Sequence, residues 1–291
     1  MTATGSLPTP IITLTTDFGQ RDPWVGIMKG VILGICPAAR LVDLTHDVGP
    51  YDILHGQLVL EAATRFFPPG AVHLAVVDPG VGSPRRPILV TAGGQHFVGP
   101  DNGLFTFALE GAGWSAVALE APALRLGQVS ATFHGRDVFA PAAAHLALGV
   151  APHRFGPAVR DPVRLALPAA RQEGGAVVGE VIAIDHFGNL ITSVRAVDLA
   201  HVSGAGPLTV AVGEVVLGPL ADSYASGGAD RPTGIIGSSD RLEVFVREGS
   251  AAAALGARRG TRVRVGPRSV GLGGERGAAP PQAPPPPRGP G

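Results

Sequence analysis

A carboxylate, a guanidinium and an imidazole stand out in this chain for the turns they occupy. Asp78 ends an apolar run from Ala71 to Val77, broken only by His73, which reads as a buried strand. Pro79-Gly80 and Val81-Gly82 then force a tight turn, and Arg85, seven residues after the aspartate, is placed to return towards it. In open α/β sheets, ligands bind beyond the carboxyl ends of the strands, so a charge pair on that edge suits chemistry. Phe133-His134-Gly135-Arg136-Asp137 sets a histidine just before a helix start, where Asp137 favours the first turn through the helix dipole. Asp78, Arg85 and His134 together make a small polar triad. The plainer readings are a structural ion pair for the first two and a core or capping histidine for the third; Arg86 leaves open which arginine faces inward.

Other candidates lie on comparable turns. Thr15-Thr16-Asp17 closes the first strand, where Asp17 serves either as a cap or as a carboxylate accepting both hydroxyls of a ribose. Asp22 on the same loop is a second candidate and also a candidate cap. Asp185 and Asn189 flank His186-Phe187-Gly188, an ordinary hairpin signal as well as a possible ligand turn. Ser238 sits in Gly237-Ser238-Ser239, and Trp24, Tyr51 and Tyr224 are candidate aromatic walls. A metal site finds no support, because no His-Glu-x-x-His run or clustered ligand set appears. No Gly-x-Gly-x-x-Gly fingerprint follows the first strand, which argues against a dinucleotide site.

These residues need elements to hold them. Ile11 to Thr16, Leu41 to Leu44, Ala71 to Val77, Ile88 to Thr91 and His96 to Val98 read as strands. Trp24 to Cys36, Ile53 to Phe66 and Arg136 to Leu148 read as helices. The alternation predicts βαβ units and a largely parallel sheet. Val150 to Gly175, rich in Pro, Arg and Gly, reads as a linker. Beyond it, Val177 to Ile184, Leu190 to Val194, Leu208 to Val212, Glu214 to Leu217, Leu242 to Val246 and Thr261 to Val265 are short runs parted by turn residues. They predict an antiparallel barrel or sandwich. After Gly266 the composition predicts a disordered tail.

Composition narrows the classes. The chain has 291 residues, 45% of them apolar, enough for one large or two ordinary globular domains. Its 23 basic and 23 acidic residues cancel, which argues against nucleic acid or an anionic membrane as partner. Cys36 is the single cysteine, so an internal disulfide is excluded, and Gly34-Ile35-Cys36-Pro37 suggests buried filler at a helix end. The chain shows no secretory pattern and no apolar run of membrane-spanning length, which points to the cytoplasm.

The Asp78 to Arg86 turn, the Phe133 to Pro141 run, Thr15-Thr16-Asp17-Phe18-Gly19 and Asp185-His186-Phe187-Gly188-Asn189 occur in the order of one family. Over residues 11–265 the chain resembles the adenosyl-methionine hydrolases (hydroxide adenosyltransferases), relatives of the fluorinase and chlorinase. The resemblance implies a Rossmann-like α/β/α domain with a largely parallel sheet over residues 8–160. A smaller antiparallel β-barrel domain over residues 175–266 and a Pro/Gly-rich tail over 267–291 follow it. It implies S-adenosyl-L-methionine as the substrate, no cofactor, and attack of water or hydroxide on the ribose 5′ carbon to give adenosine and L-methionine. Asp78, Arg85 and His134 are then catalytic, with Arg85 favoured over Arg86, His134 available to take the water's proton and Asp78 orienting the group. Asp17, Asp22, Tyr51, Asp185, Asn189, Tyr224 and Ser238 bind substrate. Asp17 takes the ribose, Asp185 the amino group of the methionine moiety, Asn189 the adenine and Ser238 the methionine carboxylate. The family assembly implies a homotrimer with sites at subunit interfaces. Halide attack is the nearest rival, but the halogenating relatives are expected to lack this triad; a non-catalytic sensor of the nucleoside is the rival from another class.

Overall fold

Apolar residues on both faces of the first strands build a sheet covered on each side. The structure, a computed structural model, describes residues 9–200, 202 and 207–267. The chain divides into two compact units between Ala166 and Leu167. In the first unit, β1 (Ile11–Thr16), β2 (Arg40–Thr45), β3 (Val72–Val76), β4 (Pro87–Ala92), β5 (Gln95–Pro100) and β6 (Ser115–Ala118) are arranged β2-β1-β3-β5-β4-β6. The expected parallel sheet is the half made of β2, β1, β3 and β5. Strands β4 and β6 add an antiparallel edge. That edge begins at Gly93-Gly94, a two-residue loop with both φ values positive, a connection that joins only antiparallel strands.

Helices α1 (Trp24–Ile35), α2 (Ile53–Thr64) and α3 (Ala140–Ala147) cover the sheet. Val72, Leu74 and Val76 of β3 enter a core with Met28 and Ile32 of α1 and the alanines of α3. Ala75 and Val77 enter the opposite core with Leu60 of α2, Phe97 and Phe105. This period-two alternation puts the sheet between two helical layers. Cys36 is buried and free, as its apolar setting predicts.

Two sequence expectations change here. Instead of one helix from Arg136 to Leu148, Gly135–Phe139 form a π-helical turn that leads into α3. Pro141 lacks the N–H that would bond Asp137 in an α-helical register, and the Asp137 carbonyl accepts from Leu126 N–H instead (2.9 Å). The segment read as a linker is fastened to the first unit as far as Leu165. Phe155 is buried, Val163 N–H donates to Asp101 Oδ1 (2.7 Å), and Leu165 N–H donates to Thr106 Oγ1 (2.8 Å). Its Pro, Arg and Gly content reads as a linker; the N–H groups of Val163 and Leu165, between the prolines, hold this part down.

The second unit contains β7 (Arg171–Glu173), β8 (Ala176–Ile184), β9 (Leu190–Arg195), β10 (Leu208–Val212), β11 (Val215–Pro219), β12 (Thr233–Ile236), β13 (Arg241–Phe245) and β14 (Arg262–Pro267). Their order is β11-β10-β14-β8-β9-β13-β12, with β7 on β8 and every pairing antiparallel. Ala221 N–H donates to Gly234 O (2.8 Å), which draws the two ends together into a nearly closed barrel. Strand β12, unexpected from the sequence, follows a Gly- and Pro-rich stretch that masks it. Pro267, the first residue of the expected tail, ends β14, and residues 268–291 lie outside the described residues. Among the described residues, no helix is long and apolar enough to cross a membrane.

Candidate active site

Asp78 lies just beyond β3, and the turn after it is closed by Val81 N–H on Asp78 O (3.2 Å) and Ser83 N–H on Gly80 O (3.0 Å). The turn returns Arg85, whose Nε–H reaches Asp78 Oδ1 (2.8 Å) and whose Nη2 also donates to Asp78 Oδ2. The same Nη2 lies 2.9 Å from His134 Nδ1. The three residues singled out in the sequence are therefore brought together. Side-chain exposure is 9% for Arg85 and 3% for Asp78, so the pair is largely withdrawn from water. Phe139 forms the floor, its ring 5.2 Å from Arg85 Cζ and edge-on to His134. The π-helical turn carries Phe139 to this place. Sequence reading missed it, because a buried phenylalanine at a helix start carries no signal beyond packing.

An arginine always donates, so Nδ1 of His134 accepts, and in the neutral ring the proton sits on Nε2. Burial lowers the His134 pKa below 6.5, and the Arg85 charge lowers it further, against the opposing pull of Asp78 and Asp137. Among the described residues, the buried Nη1 of Arg85 has no hydrogen-bond partner. Two donors, Arg85 Nη1 and His134 Nε2, are thus left uncommitted beside a bound ion pair.

Arg86 points elsewhere. Its Nε–H donates to Asp101 Oδ2 (2.8 Å), and its Nη1 donates to Asp161 Oδ1 (2.8 Å). Arg86→Ala is expected to leave kcat within about threefold while costing about 1–3 kcal/mol of stability, because the buried Asp101 carboxylate loses its cation. Urea denaturation beside initial rates measures both; a large loss of kcat at full folding contradicts the separation of the two arginines.

Asp17, at the C-terminal end of β1, accepts from Tyr51 N–H (2.8 Å). Burial raises its pKa above the usual value and the Asp78 charge adds to this, against the lowering by the Tyr51 and Asp17 backbone N–H groups. The coupling places both carboxylates at one sheet edge. Tyr51 adopts φ +64° and its ring is exposed. Asp22 is exposed and does not cap α1, whose N-cap is Pro23 with no side-chain bond. Trp24 packs edge-on against Phe133 (5.4 Å), which in turn meets Phe18 (6.1 Å).

In the second unit, Asp185 and Asn189 clasp the β8–β9 turn. Asp185 Oδ1 accepts from the N–H groups of Phe187 (2.9 Å) and Asn189 (2.8 Å), and Asn189 Nδ2 donates to Oδ2 (2.8 Å). The hairpin role of Asp185 is therefore real, and it aims the Asn189 amide. A cavity of about 630 Å³ opens beside this turn, lined by Asp185, Phe187, Asn189, Tyr224 and Phe245 together with Val246–Ser250. Ser238 lies on the exposed turn after β12, outside that lining. Among the described residues, no group of three or more His, Cys, Asp or Glu side chains is placed to hold a metal ion.

The comparisons with known proteins agree across both units. The family model for the SAM hydroxide adenosyltransferase N-terminal domain matches residues 12–156, and that for the C-terminal domain matches residues 179–264. An (R)-S-adenosyl-L-methionine hydrolase of Thermus thermophilus is 41% identical over 258 residues, 86% of this chain and 97% of its own. One from Salinispora tropica is 48% identical, over 63% of this chain and 71% of its own. A fluorinase of Actinopolyspora mzabensis is 28% identical, over 88% of this chain and 97% of its own. The crystal structure of an uncharacterised conserved protein from Thermotoga maritima superposes with a TM-score of 0.82 at 33% identity, covering 88% of this chain and all of that one. With both domain models matched in order and the Asp78, Arg85 and His134 cluster assembled in the first, the chain belongs to the SAM hydroxide adenosyltransferase family.

Proposed function

We infer that this protein is an S-adenosyl-L-methionine hydrolase, which cleaves its substrate to adenosine and L-methionine without a cofactor. The observation that carries the site reading is Arg85 bridging Asp78 and His134 with one face of its guanidinium still uncommitted. The substrate's sulfonium makes the leaving group a neutral thioether, so departure needs no acid and no metal. What the protein supplies is a nucleophile held in line with the departing sulfur. Hydroxide is that nucleophile: Arg85 Nη1 and His134 Nε2–H donate to it, and the proton it left behind goes to bulk water. Hydroxide and sulfonium combine to neutral products, so charge and atoms balance.

This assigns His134 a donor's role in place of the base read from the sequence, since Arg85 occupies Nδ1 and the proton occupies Nε2. Asp78 fixes the guanidinium, Asp17 takes the ribose hydroxyls, and the second-unit cavity with Asn189, Phe187 and Tyr224 takes the adenine. A homotrimer acting in the cytoplasm is the assembly and location we propose with this reading; a mass of three chains by sedimentation checks the former.

Incubation of S-adenosyl-L-methionine with the protein, followed by chromatography, tests the activity. Adenosine and methionine in halide-free buffer are expected. A 5′-halogenated nucleoside appearing with chloride or fluoride, or unchanged substrate after long incubation, overturns the hydrolase. The His134 environment adds a pH signature. Its folded pKa is depressed below 6.5, so the ring is neutral at pH 7 and protonation at Nδ1 breaks the Arg85 bond only in more acid solution. The His134 ring is therefore expected to titrate below pH 6.5 when followed by NMR, whereas the acid limb of kcat/KM also carries the ionisation of the bound water; a ring midpoint above 6.5 contradicts this account.

A further inference from the structure

We propose that Glu243 is a positioning residue for substrate capture, one carboxylate holding both the Tyr224 ring at the second-unit cavity and the Gly237–Asp240 turn. The assignment rests on reading that cavity as substrate-binding. Glu243 is 7% exposed on β13, a strand buried along its whole length. A buried carboxylate persists there only with donors. Two arrive from separate segments: Tyr224 O–H on Oε2 (2.8 Å) and Ser239 O–H on Oε1 (3.3 Å). A side chain at Gly237 would overlap the Glu243 carboxyl, so this turn lies directly on it.

Tyr224 is gripped twice from one strand face. Glu243 and Phe245, two residues apart, point the same way, one holding the hydroxyl and the other meeting the ring edge-on at 4.7 Å. The backbone beneath is set by the Ser223–Ser226 turn, where each serine side chain accepts the other's N–H. Tyr224 forms one wall of the cavity beside Phe245, while Glu243 holds its hydroxyl from outside the lining. Burial pushes the Tyr224 pKa up to about 12, and the Glu243 hydrogen bond adds to this, so the phenol stays a donor through the neutral range.

The test compares wild type, Glu243→Gln, Tyr224→Phe and the double variant with S-adenosyl-L-methionine. Glu243→Gln is expected to raise KM about tenfold, the scale of one charge-assisted hydrogen bond, with kcat within about threefold. Tyr224→Phe should raise KM less, and the double variant should not exceed Glu243→Gln by more than about twofold, because both act through one bond. A purely structural role lowers kcat through lost protein and leaves KM in place, which overturns the proposal. Should Glu243→Gln fail to fold, Tyr224→Phe decides, and an unchanged KM there overturns it too.

Wild-type turnover checks the hydrolase reading independently. If turnover is absent, the same shifts are read as Kd for S-adenosyl-L-methionine by calorimetry, and an unchanged Kd overturns the role of Glu243. A spectroscopic readout separates the bond from general damage. The chain has two tyrosines, so Tyr51→Phe leaves Tyr224 alone to titrate. Its tyrosinate absorbance should move from about 12 towards 10 on adding Glu243→Gln; no movement overturns the bond.

Discussion

Arg85→Ala is expected to lower kcat for S-adenosyl-L-methionine cleavage by about a thousandfold, the upper range for removing a preorganised donor of developing charge, while KM moves less than tenfold. The alanine takes away three things together. The nucleophile of the proposed mechanism loses the Nη1 donor, His134 loses the N–H that fixes its tautomer, and the Asp78 carboxyl loses the cation packed against it. Arg85→Lys separates these effects. Lysine restores the charge but not the planar fork that reaches carboxylate, imidazole and nucleophile together, so about a hundredfold loss in kcat is expected to remain. His134→Ala, which removes one donor and leaves the Asp78–Arg85 pair, should also cost about a hundredfold. Initial rates of adenosine formation, taken with thermal melts to establish folding, measure all three. If folded Arg85→Ala keeps wild-type kcat, the nucleophile is held by some other group.

The triad was legible in the sequence because each member sits at a punctuation mark. A buried apolar run ends at Asp78, a Pro-Gly and a Val-Gly step make the return to Arg85 short, and a helix begins just after His134. Position along such marks survives without knowledge of tertiary contacts. What could not be read was which way each side chain turns. Arg85 and Arg86 are adjacent and chemically identical, and only the remote Asp101 and Asp161 claim the second for structure. The tautomer of His134 depends likewise on a partner 49 residues away. The π-helical turn that aims His134 and Phe139 arises from the missing N–H of Pro141 and from Leu126 taking the Asp137 carbonyl; the proline is visible in the sequence, its consequence is not.

The second unit shows the opposite balance. Most of its strands announced themselves by short apolar runs between turn residues; these left barrel and sandwich open, and the family resemblance pointed to the barrel. Glu243 did not, since Leu242 to Val246 reads as one more short apolar run in which a lone acidic residue carries no mark of burial. Its burial depends on the Tyr224 hydroxyl, 19 residues away, and on the Ser239 hydroxyl of the adjoining turn, contacts that no periodicity reveals. Asp185 reads from the sequence both as a turn residue and as a ligand candidate, and the turn role is the one its hydrogen bonds display. The structure shows why the choice was artificial: the carboxylate that closes the hairpin also aims the Asn189 amide at the cavity.

On the proposed role of Asp17 as acceptor of both ribose hydroxyls, Asp17→Asn is expected to lower kcat/KM by about a thousandfold, mostly through KM, because the amide offers a donor in place of one acceptor. The native carboxylate is held in readiness at a cost. Burial and the Asp78 charge raise its pKa, so ionisation is less favourable than for a free carboxylate even with the Tyr51 N–H donating to it. Since its folded pKa is raised, protonation of Asp17 stabilises the free protein at low pH, and that contribution fades as pH rises through the folded pKa. Substrate binding opposes this trend: two ribose hydroxyls donate to the ionised form and lower its pKa, so binding should release a proton at pH values near the raised pKa and none well above it. Calorimetry in buffers of different ionisation enthalpy measures that release. A substrate carrying 2′-deoxyribose completes the argument. Against wild type it should lose about a hundredfold in kcat/KM, and against Asp17→Asn less than tenfold, because the variant has already lost the acceptor that the hydroxyl met. Equal losses for the two proteins place the ribose away from Asp17 and remove this carboxylate from the site.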